Sequence, residues 1–515
     1  MCAILANPTG GISFDQADFT APLDDMTMNG LPPKNQAPQA NAQPSIRSMR
    51  REPFILRPLV WLTVCCLWFS DRDLAAAPPP HILLIMADDL GWRDLHCQGN
   101  DRLQTPRLDA LAGQGLRFTD AYAASPVCSP TRGALITGLS PARLHITQHG
   151  ADGPPFWPKD RPIQPPPARH VLPLETVTLA ERLKAAGYAT GFFGKWHLSG
   201  DPDRAHPGSS GPDFWPERQG FDINIGGCGF GGPPTYFDPY RIPSITPRRP
   251  GEYLTDRLAD ETIAFLRKPR TDPVFICLWT YNVHYPFEAP ADLMEKYRGS
   301  EGPGVKNATY AAQIEATDRA IGRVLDEIDA LGMANDTLVI FTSDNGGWEG
   351  ATDNRPLRAG KGHLHEGGLR VPLIIRWPGR VKQPGGTDDT PVITMDLSAT
   401  ILEAAGVDPE SVGVIDGRSL SPLLRGEAME PRDLFFHYPH YAFHRANHPG
   451  GAVRSGDFKL IRRYDDEKIE LYDLNKDPGE TRDLAAEKPD LAGELKSRLS
   501  RWLVDMDAQM PAAVR

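Results

Sequence analysis

His81-Ile82-Leu83-Leu84-Ile85-Met86-Ala87-Asp88-Asp89 is the stretch that decides the fold. Its apolar run is unbroken rather than alternating. That is the pattern of a strand buried on both faces, inside a sheet covered by helices. The run stops on two carboxylates. In open α/β sheets, ligands bind just past the carboxyl ends of the strands. The reading therefore requires other strands to deliver polar groups to the same edge.

Three others do. Tyr188 to Phe193 leads into Gly194-Lys195-Trp196-His197, Val274 to Tyr281 into Asn282-Val283-His284, and Thr337 to Thr342 into Ser343-Asp344-Asn345. Such repetition argues for one shared site rather than separate strand caps. Between the strands lie helical patterns: Thr105-Pro106 capping a helix to about Ala112, then Thr178–Ala186, Thr255–Leu266, Tyr310–Leu331 and Asp396–Ala405. Val371 to Trp377 is a further strand. The stretch Phe221 to Arg249 has no clear period. The fold class is α/β, a large mixed β-sheet sandwiched by helices, over residues 78–429. From 430 to 515 the pattern changes to short strands at Asp433–Tyr438, Ala452–Arg454, Phe458–Arg463 and Glu470–Asp473, then a helix over about Lys488–Trp502. This is a smaller α+β subdomain containing an antiparallel sheet.

Asp88, Asp89, Asp344 and Asn345 offer only oxygen, which suits a hard divalent cation, Ca²⁺ first and Mg²⁺ second. A thiol joins them at Cys128-Ser129-Pro130-Thr131-Arg132-Gly133-Ala134-Leu135-Ile136-Thr137-Gly138. Pro130 fits the first turn of a helix, and Cys128 lies where free N–H groups favour an anion. Three residues separate Cys128 from Arg132, too few for a tyrosine-phosphatase loop.

Cys128-x-Pro130-x-Arg132 with its trailing Leu-x-Thr-Gly resembles the maturation site of type I sulfatases, in the alkaline-phosphatase-like superfamily. The resemblance runs from about His81 into the C-terminal region and is closest in character to bacterial polysaccharide sulfatases. It implies that a maturation enzyme oxidises Cys128 to formylglycine, which hydrates to a diol and joins the metal ligands. One hydroxyl of the diol then attacks sulfur. It implies Arg132, Lys195 and Lys361 as the cations that hold the sulfate, His284 as the acid for the leaving oxygen and His197 as the base that frees sulfate. The glycines around Lys361 and the block to Gly379 match the family pattern.

The implied activity is a sulfuric ester hydrolase acting on a sulfated glycan or aryl sulfate. A phosphonate or phosphodiester hydrolase of the same superfamily, or a non-catalytic sulfated-glycan-binding protein, are the alternatives. Candidate substrate contacts are His145, Trp157 in the Pro-rich loop 151–173, and His437 and His440 in a histidine- and aromatic-rich segment.

The chain has 515 residues, 40% of them apolar, and a net charge of −11. That charge speaks against nucleic acid as a partner. Residues 1–48 are Pro-, Asn-, Gln- and Ala-rich and read as disordered. Met49-Arg50-Arg51, the apolar run Leu59 to Phe69 and Ala75-Ala76-Ala77 follow in the order of a secretory signal. Residues 1–77 are thus expected to be leader and signal, with Met49 the true start. The mature protein is expected to be exported, periplasmic or extracellular, with no membrane span. Of its cysteines, Cys97, Cys128, Cys228 and Cys277 form no disulfide framework.

Overall fold

Residues 81–87 form the middle of a sheet, as their apolar run requires. The structure, a computed structural model, describes residues 78–150, 157–200, 211–444 and 446–514. The expected leader and signal, and residues 151–156 of the Pro-rich loop, lie outside the described residues.

Eight strands build the main sheet. In chain order they are β1 (His81–Ala87), β2 (Leu116–Phe118), β3 (Ala189–Gly194), β4 (Ile223–Ile225), β5 (Val274–Trp279), β6 (Thr337–Ser343), β7 (Leu373–Arg376) and β8 (Thr387–Asp388). Their spatial order is β8-β2-β7-β6-β1-β5-β3-β4. β4, β3, β5, β1 and β6 are mutually parallel, and β7 runs antiparallel between β6 and β2. The sheet is therefore mixed, with its parallel part around β1.

Alternate side chains of β1 enter different cores. Leu83 and Ile85 pack with Leu258, Ile321 and Val324, under helices α3 (Leu254–Leu266) and α4 (Ala308–Ala330). Ile82, Leu84 and Met86 pack with Leu135, Ile136 and Ile401, under α2 (Cys128–Thr137) and α5 (Thr394–Ala404). Burial on both faces is why β1 has no alternation. Each fully buried Leu or Ile contributes about 1.5–3 kcal/mol relative to exposure.

In the C-terminal part β9 (Asp433–Tyr438), β10 (Gly450–Ser455), β11 (Phe458–Arg463) and β12 (Ile469–Asp473) form an antiparallel sheet. One face, with Leu434, Phe436, Ala452 and Ile461, packs on Tyr122 and Val127 beside the start of α2. Val453, Leu460 and Leu471 on the other face pack beneath Leu495, Leu499 and Leu503 of α6 (Pro489–Asp505).

Two local expectations need correction. The Phe221–Arg249 stretch contains the edge strand β4, too short to show a period. The helix α1 (Pro106–Gln114) is not capped by the Thr105 side chain, whose Oγ1 accepts from the His96 N–H. The Asp318 carboxylate of α4 accepts from the Arg107 and Leu108 N–H groups instead, at 3.1 and 2.8 Å. Among the described residues the four cysteines are free thiols, and no helix is long and apolar enough to cross a membrane.

Candidate active site

The parallel strands remain linked beyond the sheet. The Asp88 N–H donates to the Asn282 carbonyl at 2.8 Å, Val283 to Asp88 at 2.7 Å and Asp344 to Ala87 at 3.2 Å. The four polar clusters expected from the sequence consequently lie at one edge. Asp89 turns sharply there, with φ +62°, and its N–H donates to Asp344 Oδ1. At the end of β3, Gly194 has φ +116°, and a Cβ on it would lie 1.8 Å from the Trp279 carbonyl oxygen. The missing side chain lets the Lys195 N–H reach that oxygen at 2.7 Å.

Three buried cations meet three buried carboxylates. Lys195 Nζ lies 2.6 Å from Asp88 Oδ2, and Lys361 Nζ 2.7 Å from Asp89 Oδ1. Arg132 donates from Nε to Asp344 Oδ2 at 2.9 Å and from Nη1 to the Lys195 carbonyl at 2.6 Å, and its Nη2 lies 2.7 Å from Asp344 Oδ2 as an ion pair. Its shortest contacts are with the acid cluster and the Lys195 backbone, so it braces the two. Burial, reinforced by Asp344, pushes the Asp88 carboxyl well above the usual range. Burial opposes ionisation of Asp89 too, but Lys361 and His284 outweigh it and hold that carboxyl low.

Cys128 opens α2 with its Sγ 3.7 Å from Asp88 Oδ1. Burial pushes its thiol up to about 12, although Lys195 and Lys361 act in the opposite direction. The helix start therefore does not make this sulfur a thiolate. At neutral pH it is a neutral thiol and a weak nucleophile.

His284 is the half-buried member of the group. Its Nδ1 lies 2.7 Å from the Tyr285 carbonyl, an acceptor only, so Nδ1 carries the proton and Nε2 faces Asp89 at 3.7 Å. Burial, then Lys361, lowers His284 to about 3. His197 is likewise held well below its ordinary value by burial and Lys195. Both are neutral imidazoles in the resting site.

The donor set fits a divalent cation. Ligand atoms of Asp88, Asp89, Cys128 and Asp344 all lie within 4.8 Å of one another. Asn345 donates from Nδ2 to Asp89 Oδ1 at 2.8 Å and to the Gly346 carbonyl at 2.9 Å. Its Oδ1 is buried without a hydrogen-bond donor. A buried acceptor left open beside three carboxylates is what a cation satisfies.

Residues 80–407 match the family model "Sulfatase", and residues 359–509 match "N-sulphoglucosamine sulphohydrolase, C-terminal". The chain belongs to the sulfatase family. A "Sulfatase" of Formosa agariphila is 33% identical over 507 residues, covering 85% of this chain and 91% of the relative. Human arylsulfatase A is 33% identical over 505 residues, covering 86% and 90%. Among solved structures, Ps i-CgsB in complex with k-i-k-neocarrahexaose superposes with a TM-score of 0.68 at 27% identity, covering 82% of this chain and 93% of the other.

The expected substrate contacts of this sulfatase are engaged elsewhere. His145 Nε2 lies 2.8 Å from the Asp507 carbonyl. His437 pairs with the Tyr464 hydroxyl through Nδ1 and with the Gln509 carbonyl through Nε2, and His440 Nε2 with the Thr147 hydroxyl. Trp157 is half-buried, with Arg161 over its ring and Ile163, Tyr441 and Tyr464 around it. These side chains tie the C-terminal segment to the loops, and the aromatic-rich composition reflects that packing.

Two further histidines lie beside His197 and Lys361. The His149 ring meets the His197 ring edge-on, centroids 6.5 Å apart, and also lies 6.5 Å from the Phe443 ring. His444 stacks on Phe443 at 4.0 Å and sits against Gly362, next to Lys361. His149 and His444 stand four residues from His145 and His440, and no local spacing in the sequence separates the members of either pair.

Proposed function

We propose that the protein is an exported, calcium-dependent sulfuric ester hydrolase that removes sulfate from a sulfated carbohydrate, after Cys128 is converted to formylglycine. The observation that carries this reading is the three-cation, three-carboxylate cluster around a neutral Cys128 thiol, with Asn345 Oδ1 left open. Burial disfavours the thiolate of the cation-free site, and oxidation of Cys128 to formylglycine would present an oxygen nucleophile in its place.

Asp88, Asp89, Asp344, Asn345 and residue 128 would hold the calcium ion, Mg²⁺ being the second choice. When bound, the ion and the formylglycine together supply a polarised hydroxyl nucleophile and charge stabilisation at the sulfate. Lys195 and Lys361 each face the acid cluster and can turn their charge to the sulfate oxygens. Arg132 keeps Asp344 and the Lys195 backbone in register. His284 presents Nε2 at the half-buried side, where the leaving oxygen departs. The negative charge of a sulfate ester beside it favours its protonated form, from which it donates to that oxygen. His197 takes the second proton as sulfate leaves. Phe443, His149 and His444 offer a ring face and ring nitrogens suited to a sugar. The related chain of Ps i-CgsB, solved with an oligosaccharide, supports a glycan as the alcohol carrier.

The deciding experiment uses protein co-expressed with a formylglycine-generating enzyme. The tryptic peptide containing Cys128 is weighed, and 4-nitrophenyl sulfate hydrolysis is followed with and without a chelator. The reading requires a mass loss of about 18 Da and chelator-sensitive turnover. An unconverted thiol in folded protein, with the maturation enzyme active on a control, would sink it.

A further inference from the structure

The loop Gly226-Gly227-Cys228-Gly229-Phe230-Gly231-Gly232-Pro233 after β4 passes over both histidines. A Cβ built on Gly231 would lie 2.7 Å from His197 Cε1 and 2.8 Å from its Nε2. A Cβ on Gly232 would lie 2.7 Å from His284 Nδ1 and 2.9 Å from the Tyr285 carbonyl oxygen. Neither glycine has a positive φ, so what the site uses is the missing side chain rather than backbone freedom.

The loop and the histidines are also tied together through the backbone. The His197 N–H donates to the Cys228 carbonyl at 3.0 Å, and the Ser129 hydroxyl donates to the His197 carbonyl at 2.8 Å. The Tyr281 hydroxyl donates to Gly226 at 2.9 Å. Tyr236, a few residues on, directs its hydroxyl to the Tyr281 and His284 carbonyls at 2.6 and 2.8 Å. The backbones that carry both rings are thus held from behind while the glycines bound the rings in front. An added methyl would press the His197 ring directly, and the His284 ring cannot swing away without losing its Nδ1 bond to the Tyr285 carbonyl.

We propose that Gly231 and Gly232 are positioning residues for two different halves of the reaction, Gly231 through His197 and Gly232 through His284. The inference rests on the sulfatase reading and on the roles assigned to those histidines. A methyl at 232 displaces the group that protonates the leaving oxygen. Poor leaving groups need that proton most. A methyl at 231 displaces the group that acts after the alcohol has left.

The test is steady-state and burst kinetics of the matured enzyme on aryl sulfates of increasing phenol pKa. Gly232→Ala should lose kcat/KM along the series, from near wild type for the most acidic phenol to about a hundredfold for the least acidic. Gly231→Ala should lower kcat and KM together by about a hundredfold, leave kcat/KM near wild type, and show a burst of one phenol per site. The thermal midpoint of each variant is recorded alongside. Tyr236→Phe keeps the ring, frees the His284 carbonyl and should give the 232 pattern in milder form, so the idea stays testable if the alanine at 232 does not fold. Equal losses on every substrate in both parameters, or no loss, would overturn the inference while the activity stands. No turnover by the unsubstituted matured enzyme would overturn the sulfatase reading and the inference with it.

Discussion

Lys361 lies against Asp89 through both carboxylate oxygens, at 2.7 and 2.8 Å, and both side chains are buried. Removing one partner of such a pair leaves an uncompensated charge, at a cost of about 3–5 kcal/mol. Lys361→Ala should therefore lower the thermal midpoint of the cation-free protein, and calcium should raise the variant's midpoint by more than it raises the wild type's. Equal calcium shifts in the two proteins would show that the cation does not take over the neutralisation of Asp89. Asn345 gives the complementary case. Its Oδ1 makes no hydrogen bond within the protein, so Asn345→Ala removes an acceptor that only a ligand uses. Calcium affinity by calorimetry should fall at least about tenfold. An unchanged affinity would remove Asn345 from the donor set. At this scale the sequence was readable where a side chain follows a strand end: Asp88, Lys195, His284 and Asp344 announce themselves by position. His149, His444, Gly231 and Gly232 do not. They reach the site because loops fold back over it, and their neighbours in sequence have the same composition.

β1, β3, β5 and β6 were legible as elements because burial on both faces removes alternation and leaves bare apolar runs. β4 was not, since three residues cannot display a period. The α1 cap was misread because Asp318, far away in sequence, does what Thr105 suits by type. The C-terminal sheet was legible in its strands but not in its anchorage. Lys459 of β11 reaches Glu366 at 2.9 Å and Glu480 at 3.0 Å, all three fully buried, and the Glu366 N–H donates to Glu480 at 2.7 Å. Burial, reinforced by Glu366, raises the Glu480 carboxyl to about 7, and the two glutamates titrate as a pair around one lysine. Because the folded-state value lies above the unfolded one, the folded protein binds the extra proton between about pH 4.5 and 7. The contribution is present below the unfolded value and is lost as pH rises through the folded one. Glu480→Gln mimics the protonated acid. Its midpoint should match wild type near pH 5 and exceed it by about 3 °C at pH 8. A constant offset across that range would mean that Glu480 is ionised throughout.

Across the whole molecule, buried histidines shift in the opposite sense. Burial lowers His284, His440 and His444 to about 3 and His365 and His437 to about 4, while His149 and His197 are also held low. These rings lie in the site wall and at its seam with the C-terminal sheet, and they pack there as neutral groups. Each is neutral in the folded state where the unfolded chain, near its ordinary value of about 6.5, binds a proton. Their stabilising effect is complete above that value and lost as pH falls toward the folded values. The seven histidines outnumber the carboxyls that burial raises, Glu480, Asp88, Asp94, Asp256 and Asp318, so the wild-type thermal midpoint should rise by at least about 5 °C from pH 5 to 7.5. Chelated protein is the cleaner sample, because a bound cation adds its own pH dependence through its carboxylate ligands. Replacing His437, whose ring pairs with Tyr464 and Gln509, with the neutral hydrogen-bonding Gln should reduce that slope without altering turnover of an aryl sulfate. A midpoint that stays flat or falls between pH 5 and 7.5 would mean that the rings accept protons in place, and that the seam opens to water without unfolding.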